Sequence, residues 1–279
     1  ELGNHSSPLL RVPETVSEAD ILLLESTYGN RDHRPHDETV EEFEAALNAA
    51  AESGGNVLIP AFAVGRTQDL IYHLGDLYRE GRLPQQAVFL DSPMAIEAST
   101  VYSRFTELFN EDDPEFRQVM HRDWSQWLPI LQYSKTPEQS MAINRIKGGA
   151  IILAGSGMCT GGRIRHHLKH NLWRREAHII IAGFQARGTP GRALIDGTQS
   201  LRIFGEDIAV RATIHTLGGF SAHAGQSQLI QWANHFAPNR PRLYLVHGER
   251  DNMVELQQHF FETMNWNAAI PTLGEAISL

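Results

Sequence analysis

A chain of 279 residues that is 42% hydrophobic can support one large or two ordinary domains, each with its own core. It contains no run of about 18 apolar residues, and the opening ELGNHSSPLL has neither the basic start nor the apolar stretch of a signal peptide, which points to a cytoplasmic protein without a membrane-spanning helix. The formal net charge of −9 argues against a protein that coats nucleic acid non-specifically, and the single cysteine, Cys159, excludes an internal disulfide and a cysteine-based zinc site, leaving His and carboxylates to hold any metal.

Short apolar runs alternate with helically spaced segments along the whole chain. The first strand is expected over Ile21 to Glu25 and runs into the polar turn Glu25-Ser-Thr-Tyr-Gly29. An acidic helix follows over Glu38 to Glu52, with Asp37 as its cap; Asp37, Glu38, Glu41, Glu42, Glu44 and Glu52 face no Lys or Arg there, the pattern of a solvated surface. Asn56 to Pro60 leads through Pro60-Ala-Phe-Ala-Val-Gly-Arg66 into a helix over Arg66 to Arg79. Ala87 to Leu90 leads through Asp91-Ser-Pro93 into a helix over Met94 to Phe109, with Ser92 as cap and Pro93 in the first turn. Asn110 to Ser134, with Trp124 and Trp127, has no clear period and reads as irregular helical packing.

Ala150 to Ala154 then ends in Gly155-Ser-Gly-Met-Cys-Thr-Gly-Gly162 ahead of a helix over Arg163 to Leu172. Further strands are expected over His178 to Ala182, Leu201 to Phe204 and Arg242 to Val246, with helices over Gln226 to His235 and Met253 to Met264. This order is the signature of an α/β protein with a largely parallel sheet, and such sheets bind ligands at the carboxyl ends of their strands.

Three residues stand at strand ends or loop tips with the right chemistry for a site. His247 follows Leu243-Tyr-Leu-Val246, where a rigid strand aims its imidazole; a lone His there is more often a hydrogen-bonded structural residue than a zinc ligand. Gly248 lets the backbone turn, and Glu249 could orient the ring. His223 lies in Gly218-Gly-Phe-Ser-Ala-His223, with the Ser221 hydroxyl nearby, and Glu25 closes the first strand.

The glycine-rich turn beginning at Gly155 opens onto a helix, an arrangement suited to anions, but it is not a P-loop because no lysine follows Gly161-Gly162. The turn Gly183-Phe-Gln-Ala-Arg-Gly-Thr-Pro-Gly-Arg192 could hold phosphate through backbone amides, Thr189 and Arg192. From Gly155 to Arg192 the basic residues Arg163, Arg165, Lys169, Arg174, Arg175, Arg187 and Arg192 face one acid, Glu176, forming a candidate phosphate-facing strip. His166 and His170 have the spacing of zincin ligands, yet His167 stands where the zincin Glu belongs, so the trio reads as part of a basic face.

Taken in order, Ala19-Asp-Ile-Leu-Leu-Leu-Glu-Ser-Thr-Tyr-Gly29, Ile59-Pro-Ala-Phe-Ala-Val-Gly-Arg-Thr-Gln68, Leu90-Asp-Ser-Pro-Met-Ala95, Gly155-Ser-Gly-Met158, Gly188-Thr-Pro-Gly191, Phe220-Ser-Ala-His223 and Val246-His-Gly-Glu249 resemble the β-CASP branch of the metallo-β-lactamase superfamily, which includes bacterial ribonucleases and the cleavage and polyadenylation endonuclease. The resemblance implies a metallo-β-lactamase fold carrying an inserted Rossmann-like cap. The first domain would occupy residues 1–29 and 213–279, with the cap over 30–212.

The resemblance also implies roles. Glu25 matches the family's motif A acid and His223 its motif B histidine, acting together in catalysis, while His247 matches motif C, a zinc ligand. Glu1, just ahead of Leu2-Gly3, stands where the family places an Asp that bridges two metals, so Glu1 is a candidate metal ligand. Substrate contacts are expected from Arg66, Ser156, Gly157, Arg163, Gly188, Thr189, Arg192 and Ser221. The family's His-x-His-x-Asp-His motif and a further His ligand would precede Glu1, and no such motif occurs here.

The function so implied is hydrolysis of RNA phosphodiester bonds with two zinc ions, on single-stranded RNA, by a protein that can form a homodimer; this chain alone would be inactive. An inert RNA-binding or scaffold relative is the alternative. A doubly wound domain that binds a nucleotide through its glycine loops is the reading left if the resemblance is set aside.

Overall fold

The computed structural model describes residues 1–5, 7–110, 113–120 and 123–277. Along the chain lie β1 (Ile21–Glu25), α1 (His36–Ser53), β2 (Val57–Pro60), α2 (Arg66–Arg79), β3 (Ala87–Leu90) and α3 (Pro93–Tyr102). Then come α4 (Pro114–Met120), α5 (Trp124–Trp127), β4 (Leu131–Tyr133), α6 (Pro137–Ile143), β5 (Ala150–Ala154), α7 (Ile164–Asn171), β6 (His178–Ile181) and α8 (Pro190–Ile195). The chain continues with β7 (Ser200–Ile203), β8 (Glu206–Ala209), β9 (Thr213–Thr216), α9 (Gln226–Ala233), β10 (Arg242–Val246), α10 (Arg250–Met264) and β11 (Ala268–Ala269). Among the described residues no helix is long and apolar enough to cross a membrane.

Two compact units result. One comprises Glu1–Ser7, Arg11–His33 and Ser221–Leu279; the other comprises Pro8–Leu10 and Arg34–Phe220. The boundaries expected at 29/30 and 212/213 fall at 33/34 and 220/221 in this division, and Pro8–Leu10 goes with the larger unit. At the second, β9 pairs in parallel with β6, matching Ile179 with Ile214, which keeps residues 213–216 in the larger sheet.

The larger unit is built on a sheet ordered β4-β3-β5-β2-β6-β9, with every pairing parallel. Its central strands are near-continuous apolar runs: all five residues of β5 and all four of β2 and β6 are buried, as strands covered on both faces must be. Alternation sorts their side chains to opposite faces. Val57, Ile59, Ile151, Leu153 and Ile180 join Phe43, Leu47, Leu70 and Leu74 on one side. Leu58, Ile152, Ile179 and Ile181 join Ile164, Leu168 and Leu172 on the other. Each fully buried Leu or Ile contributes about 1.5–3 kcal/mol by leaving water.

Of the segment read as irregular, residues 111–112 and 121–122 lie outside the described residues. The remainder places Phe116, Trp124 and Trp127 in the core. A Cβ at Gly75 would lie 2.0 Å from Trp127 Cδ1, so α2 accepts that indole only through a glycine.

Helix boundaries shift for local reasons. Ser92 caps α3 as expected, its Oγ accepting from Ala95 N at 3.3 Å. Asp37 is not the cap of α1: the helix begins at His36 after Pro35, and Asp37 lies in its first turn, where a negative charge still favours the helix dipole. The helix expected to reach Phe109 stops at Tyr102, and α10 starts at Arg250 rather than Met253.

The smaller unit has a parallel sheet ordered β1-β10-β11. Leu22, Leu24, Leu243, Leu245, Leu256, Phe260 and Trp266 form its core. The β1–β10 register pairs Glu25 with Val246. Glu25 and the residue after Val246, His247, therefore emerge at the same end of adjacent strands.

Candidate metal centre

Glu25 is 2% exposed, and all of its neighbours favour the ionised carboxylate. Oε1 accepts from Leu2 N at 3.1 Å and lies 3.0 Å from His223 Nδ1, while Oε2 accepts from Thr27 N at 3.3 Å. Burial works to raise its pKa, but the hydrogen bond and charge of His223, with the Thr27 and Leu2 bonds, outweigh it and hold the carboxyl below its usual range.

The His223 loop is fixed from several directions within this unit. Asn4 N donates to Ala222 O at 2.9 Å, Asn4 Nδ2 to Ser221 O at 3.0 Å, and Ala224 N to Leu2 O at 3.0 Å. His33 Nε2 donates to His223 O at 2.8 Å. Ser221 Oγ accepts from His223 N at 3.2 Å, so its hydroxyl serves the loop. Asp32 accepts from Ser227 N and Oγ at 2.8 and 2.6 Å, tying the turn after β1 to the start of α9. With Nδ1 on Glu25, the remaining ring nitrogen of His223 is Nε2, on a side chain that is 24% exposed.

His247 reaches the same place by a strained route. Its φ of +54° is a left-handed conformation that costs a non-glycine residue about 1–2 kcal/mol and that tends to persist at functional sites. Gly248 makes the turn feasible, since a Cβ there would lie 2.5 Å from Ser26 O. Thr27 then sets the ring. Its hydroxyl donates to His247 O at 3.0 Å and lies 3.2 Å from His247 Nδ1. The one hydroxyl proton is used on the carbonyl, so Oγ1 is placed to accept from Nδ1–H, and Nε2 is the ring nitrogen that faces Glu1.

Ligand atoms of Glu25, His223 and His247 lie within 4.8 Å of one another, and the two imidazole centroids are 5.3 Å apart. Glu1 Oε1 is 3.1 Å from His247 Nε2. Two ligands on one tetrahedral zinc, each about 2.0–2.1 Å from it, are roughly 3.3 Å apart, so the spacing suits a shared ion. The donor set, imidazole nitrogen and carboxylate oxygen, suits zinc as well. Glu25 is the weaker ligand candidate of the three, because both its oxygens already accept hydrogen bonds in a buried setting; it orients His223.

Sequence reasoning passed over Thr27, Asn4 and His33. The signal was available for Thr27, two residues past Glu25 on a turn whose register faces His247. None existed for Asn4 or His33, whose roles depend on contacts across more than 180 residues of chain.

The expected substrate contacts other than Ser221 lie in the larger unit, at the carboxyl ends of β2, β5 and β6. Arg66 is 7% exposed and pairs with Asp69 at 3.1 Å. Ser156 Oγ accepts from Gly161 N at 3.1 Å, closing its own turn. Thr189 caps α8, accepting from Arg192 N at 3.2 Å; Gly188, just before it, has a φ of +81°; and Arg192 pairs with Asp196 at 2.9 Å.

The basic strip is largely engaged. Arg163 donates to Asp91 Oδ1 and Ser134 O, both at 2.8 Å, Lys169 pairs with Glu206 at 2.6 Å, and Arg174 with Glu176 at 3.0 Å. The expected histidine face of α7 is also revised: His167 is fully buried, with Nε2 2.6 Å from Asp91 Oδ2.

Two family models match the chain: a Beta-Casp domain over residues 67–194 and a Zn-dependent metallo-hydrolase RNA specificity domain over residues 207–271. A ribonuclease of Thermus thermophilus is 42% identical over 258 residues, covering 92% of this chain and 58% of that protein. These matches support a metallo-β-lactamase fold with a β-CASP cap. An RNase J-like protein of Methanocaldococcus jannaschii is 28% identical over 276 residues, 98% of this chain and 62% of that protein. A transcription termination factor of Thermococcus kodakarensis is 30% identical over 268 residues, 93% of this chain and 41% of that protein. The chain thus spans about two fifths to three fifths of the length of these relatives. The second matched stretch contains His223 and His247, and the first contains Gly157, Arg163, Gly188, Thr189 and Arg192.

Proposed function

We propose that this β-CASP chain supplies the acid–base pair and part of the metal site of a zinc-dependent ribonuclease, acting on single-stranded RNA. The carrying observation is a pair of imidazoles 5.3 Å apart by ring centroid whose Nδ1 atoms are occupied, one by Glu25 and one by Thr27, in a cluster whose ligand atoms lie within 4.8 Å of one another. His247 and Glu1 would hold metal, and the resemblance supplies the remaining ligands of a two-zinc site from a segment N-terminal to Glu1. Zinc, when bound, supplies Lewis acidity toward the phosphodiester and toward water.

The chain's own residues do the rest. His223 protonates the leaving oxygen from Nε2, and Glu25 holds the ring in place and stabilises its charged form. Burial works to raise the Glu25 pKa, but the hydrogen bond and charge of His223, with the bonds from Thr27 N and Leu2 N, keep the carboxylate ionised. The Thermus relative's name, ribonuclease, and the RNA specificity model support RNA as the substrate class.

The test uses protein carrying the ligand-rich N-terminal segment of the family. Zinc content by elemental analysis and cleavage of a labelled single-stranded RNA are measured for the wild type and for His223→Ala. About two zinc ions in both proteins, with cleavage only in the wild type, is the expected result. A wild type that binds no zinc and cuts nothing would leave the inert RNA-binding relative as the better reading.

A further inference from the structure

Phe62 is 49% exposed in the turn after β2, and its neighbour Val64 is 62% exposed. A single exposed aromatic side chain is ordinary on a protein surface. The setting of this one is not. A Cβ on Gly157 would lie 2.6, 2.7 and 3.1 Å from Phe62 Cδ2, Cε2 and Cγ. Those three distances place the added atom over the face of the ring, since an edge-on approach to the Cδ2–Cε2 bond would leave Cγ well beyond 3.1 Å. Buried Gly157 thus lies with bare backbone over one face of the ring, on a residue that is still half-exposed.

The backbone that carries the ring is also held. Thr67 Oγ1 donates to Phe62 O at 2.6 Å, and Gln68 Nε2 donates to Ala63 O at 3.1 Å, so the first turn of α2 pins the segment from below. Ala61 N donates to Ala154 O at 3.1 Å. Gln185 Nε2 donates to Gly157 O at 2.9 Å, bracing the glycine from the turn after β6. Strand-end turns from β2, β5 and β6, three neighbours in the sheet order, therefore cooperate to hold one half-exposed aromatic ring at the sheet edge where parallel folds bind ligands.

Charge marks what that edge suits. In a chain of net charge −9, the turns 61–67, 155–163 and 183–192 contain no Asp or Glu, and they contain Arg66, Arg163, Arg187 and Arg192. Arg66, Arg163 and Arg192 are paired with Asp69, Asp91 and Asp196, so these turns offer a flat aromatic surface with no carboxylate of their own to repel a polyanion that carries planar rings.

We infer that Phe62, backed by Gly157, is a stacking platform for a nucleobase of single-stranded RNA. The inference rests on the RNA reading proposed above and adds to it a base-contacting site in the larger unit, away from the metal ligands in sequence and in chemistry. Stacking on a π face is indifferent to base identity, so the platform would hold the strand without reading its sequence.

Binding of this 279-residue chain to a single-stranded RNA oligonucleotide carrying 2-aminopurine, followed by fluorescence quenching and anisotropy, tests it without requiring catalysis. Phe62→Ala and Phe62→Leu should weaken binding roughly 5- to 100-fold and abolish the quenching, while Phe62→Trp should restore both. Gly157→Ala should weaken binding too, by displacing the ring. On an oligonucleotide of the same length with abasic sites throughout, Phe62→Ala should bind as the wild type does. Thermal melts check that each variant is folded. Wild-type binding that is unchanged in both Phe62→Ala and Phe62→Leu would overturn the platform alone; failure of the wild-type chain to bind RNA would overturn the platform and the RNA reading together.

Discussion

Each unit has a carboxylate that stands at the end of a parallel strand and takes a hydrogen bond from a histidine, yet the two pairs do different work. In the smaller unit Glu25 engages His223 Nδ1 at 3.0 Å, and the imidazole remains 24% exposed. In the larger unit Asp91, one residue past β3, engages His167 Nε2 at 2.6 Å, with both side chains fully buried. His167 Nδ1 is occupied as well, 2.9 Å from Asn144 Oδ1. Asp91 also accepts from Ser140 Oγ at 2.6 Å and from Arg163 Nη1 at 2.8 Å. Burial works to raise the Asp91 pKa, and these three donors lower it further than burial raises it. A carboxylate–histidine pair becomes a candidate for chemistry when one ring nitrogen is left to meet a ligand. With both nitrogens committed, the same pair is a clamp between β3, α6 and α7.

That contrast can be broken most sharply at the exposed pair. In protein with the complete site, His223→Ala should lower turnover by on the order of 10²–10⁴ and leave zinc content unchanged, whereas His247→Ala should lose zinc. Equal zinc loss in both variants would make His223 a ligand rather than an acid.

At the sealed pair the expected loss is in stability. Asp91→Ala strands a buried histidine and an arginine without their acceptor, which should cost about 3–5 kcal/mol in urea unfolding and leave zinc content per folded molecule unchanged. The wild-type contribution of Asp91 should be full above pH 3.8, its ordinary value, and should fade as pH drops below that toward its lowered folded value. Glu25→Gln should show the reverse balance, with a small change in stability and a large one in turnover.

A second buried imidazole extends the comparison, because no carboxylate pairs with it among the described residues. His73 lies against Phe220, ring centroids 5.0 Å apart, with Nε2 unpartnered. Burial pushes its pKa down to about 3 from 6.5, with the His36 and Arg66 charges adding to the effect. The folded state therefore refuses a proton that the unfolded chain accepts, and stability should fall as pH drops from 6.5 toward 3, by up to about 1.4 kcal/mol per unit. His73→Phe should flatten that limb of the stability curve.

The smallest expected effect concerns tautomer control. Thr27→Val removes the hydroxyl that fixes His247 Nδ1–H, and zinc affinity measured by chelator competition should fall roughly 10- to 100-fold with the ligand itself still present.

The two carboxylates differ in how visible they were. Glu25, His223 and His247 could be found from strand-end position and from ordered motif segments, because a side chain that must reach a ligand sits where the backbone pattern changes. The strands β1, β3, β5 and β10 were read to the residue, since apolar runs closed by Gly, Pro or Asp leave little freedom. Short elements such as β4, β8, β9 and β11 were not, because their pairing comes from partners distant in the chain rather than from their own period. His167 was misplaced on a basic surface for the same reason: its carboxylate lies 76 residues earlier, and nothing local distinguishes a buried charged pair from a solvated one.

The sequence by itself determined an α/β chain with parallel strands, the membership of Glu25, His223 and His247 in one site, and zinc-suited donors free of cysteine. Only the tertiary structure decided which ring nitrogens are spent and which are left over. It showed Thr27 orienting His247, His33 and Asn4 holding the His223 loop, Arg163 committed to Asp91, and Gly157 lying beneath Phe62. Hydrogen-bond donors and ring faces are shared out among residues far apart in the chain, so their availability depends on which segments meet in the fold.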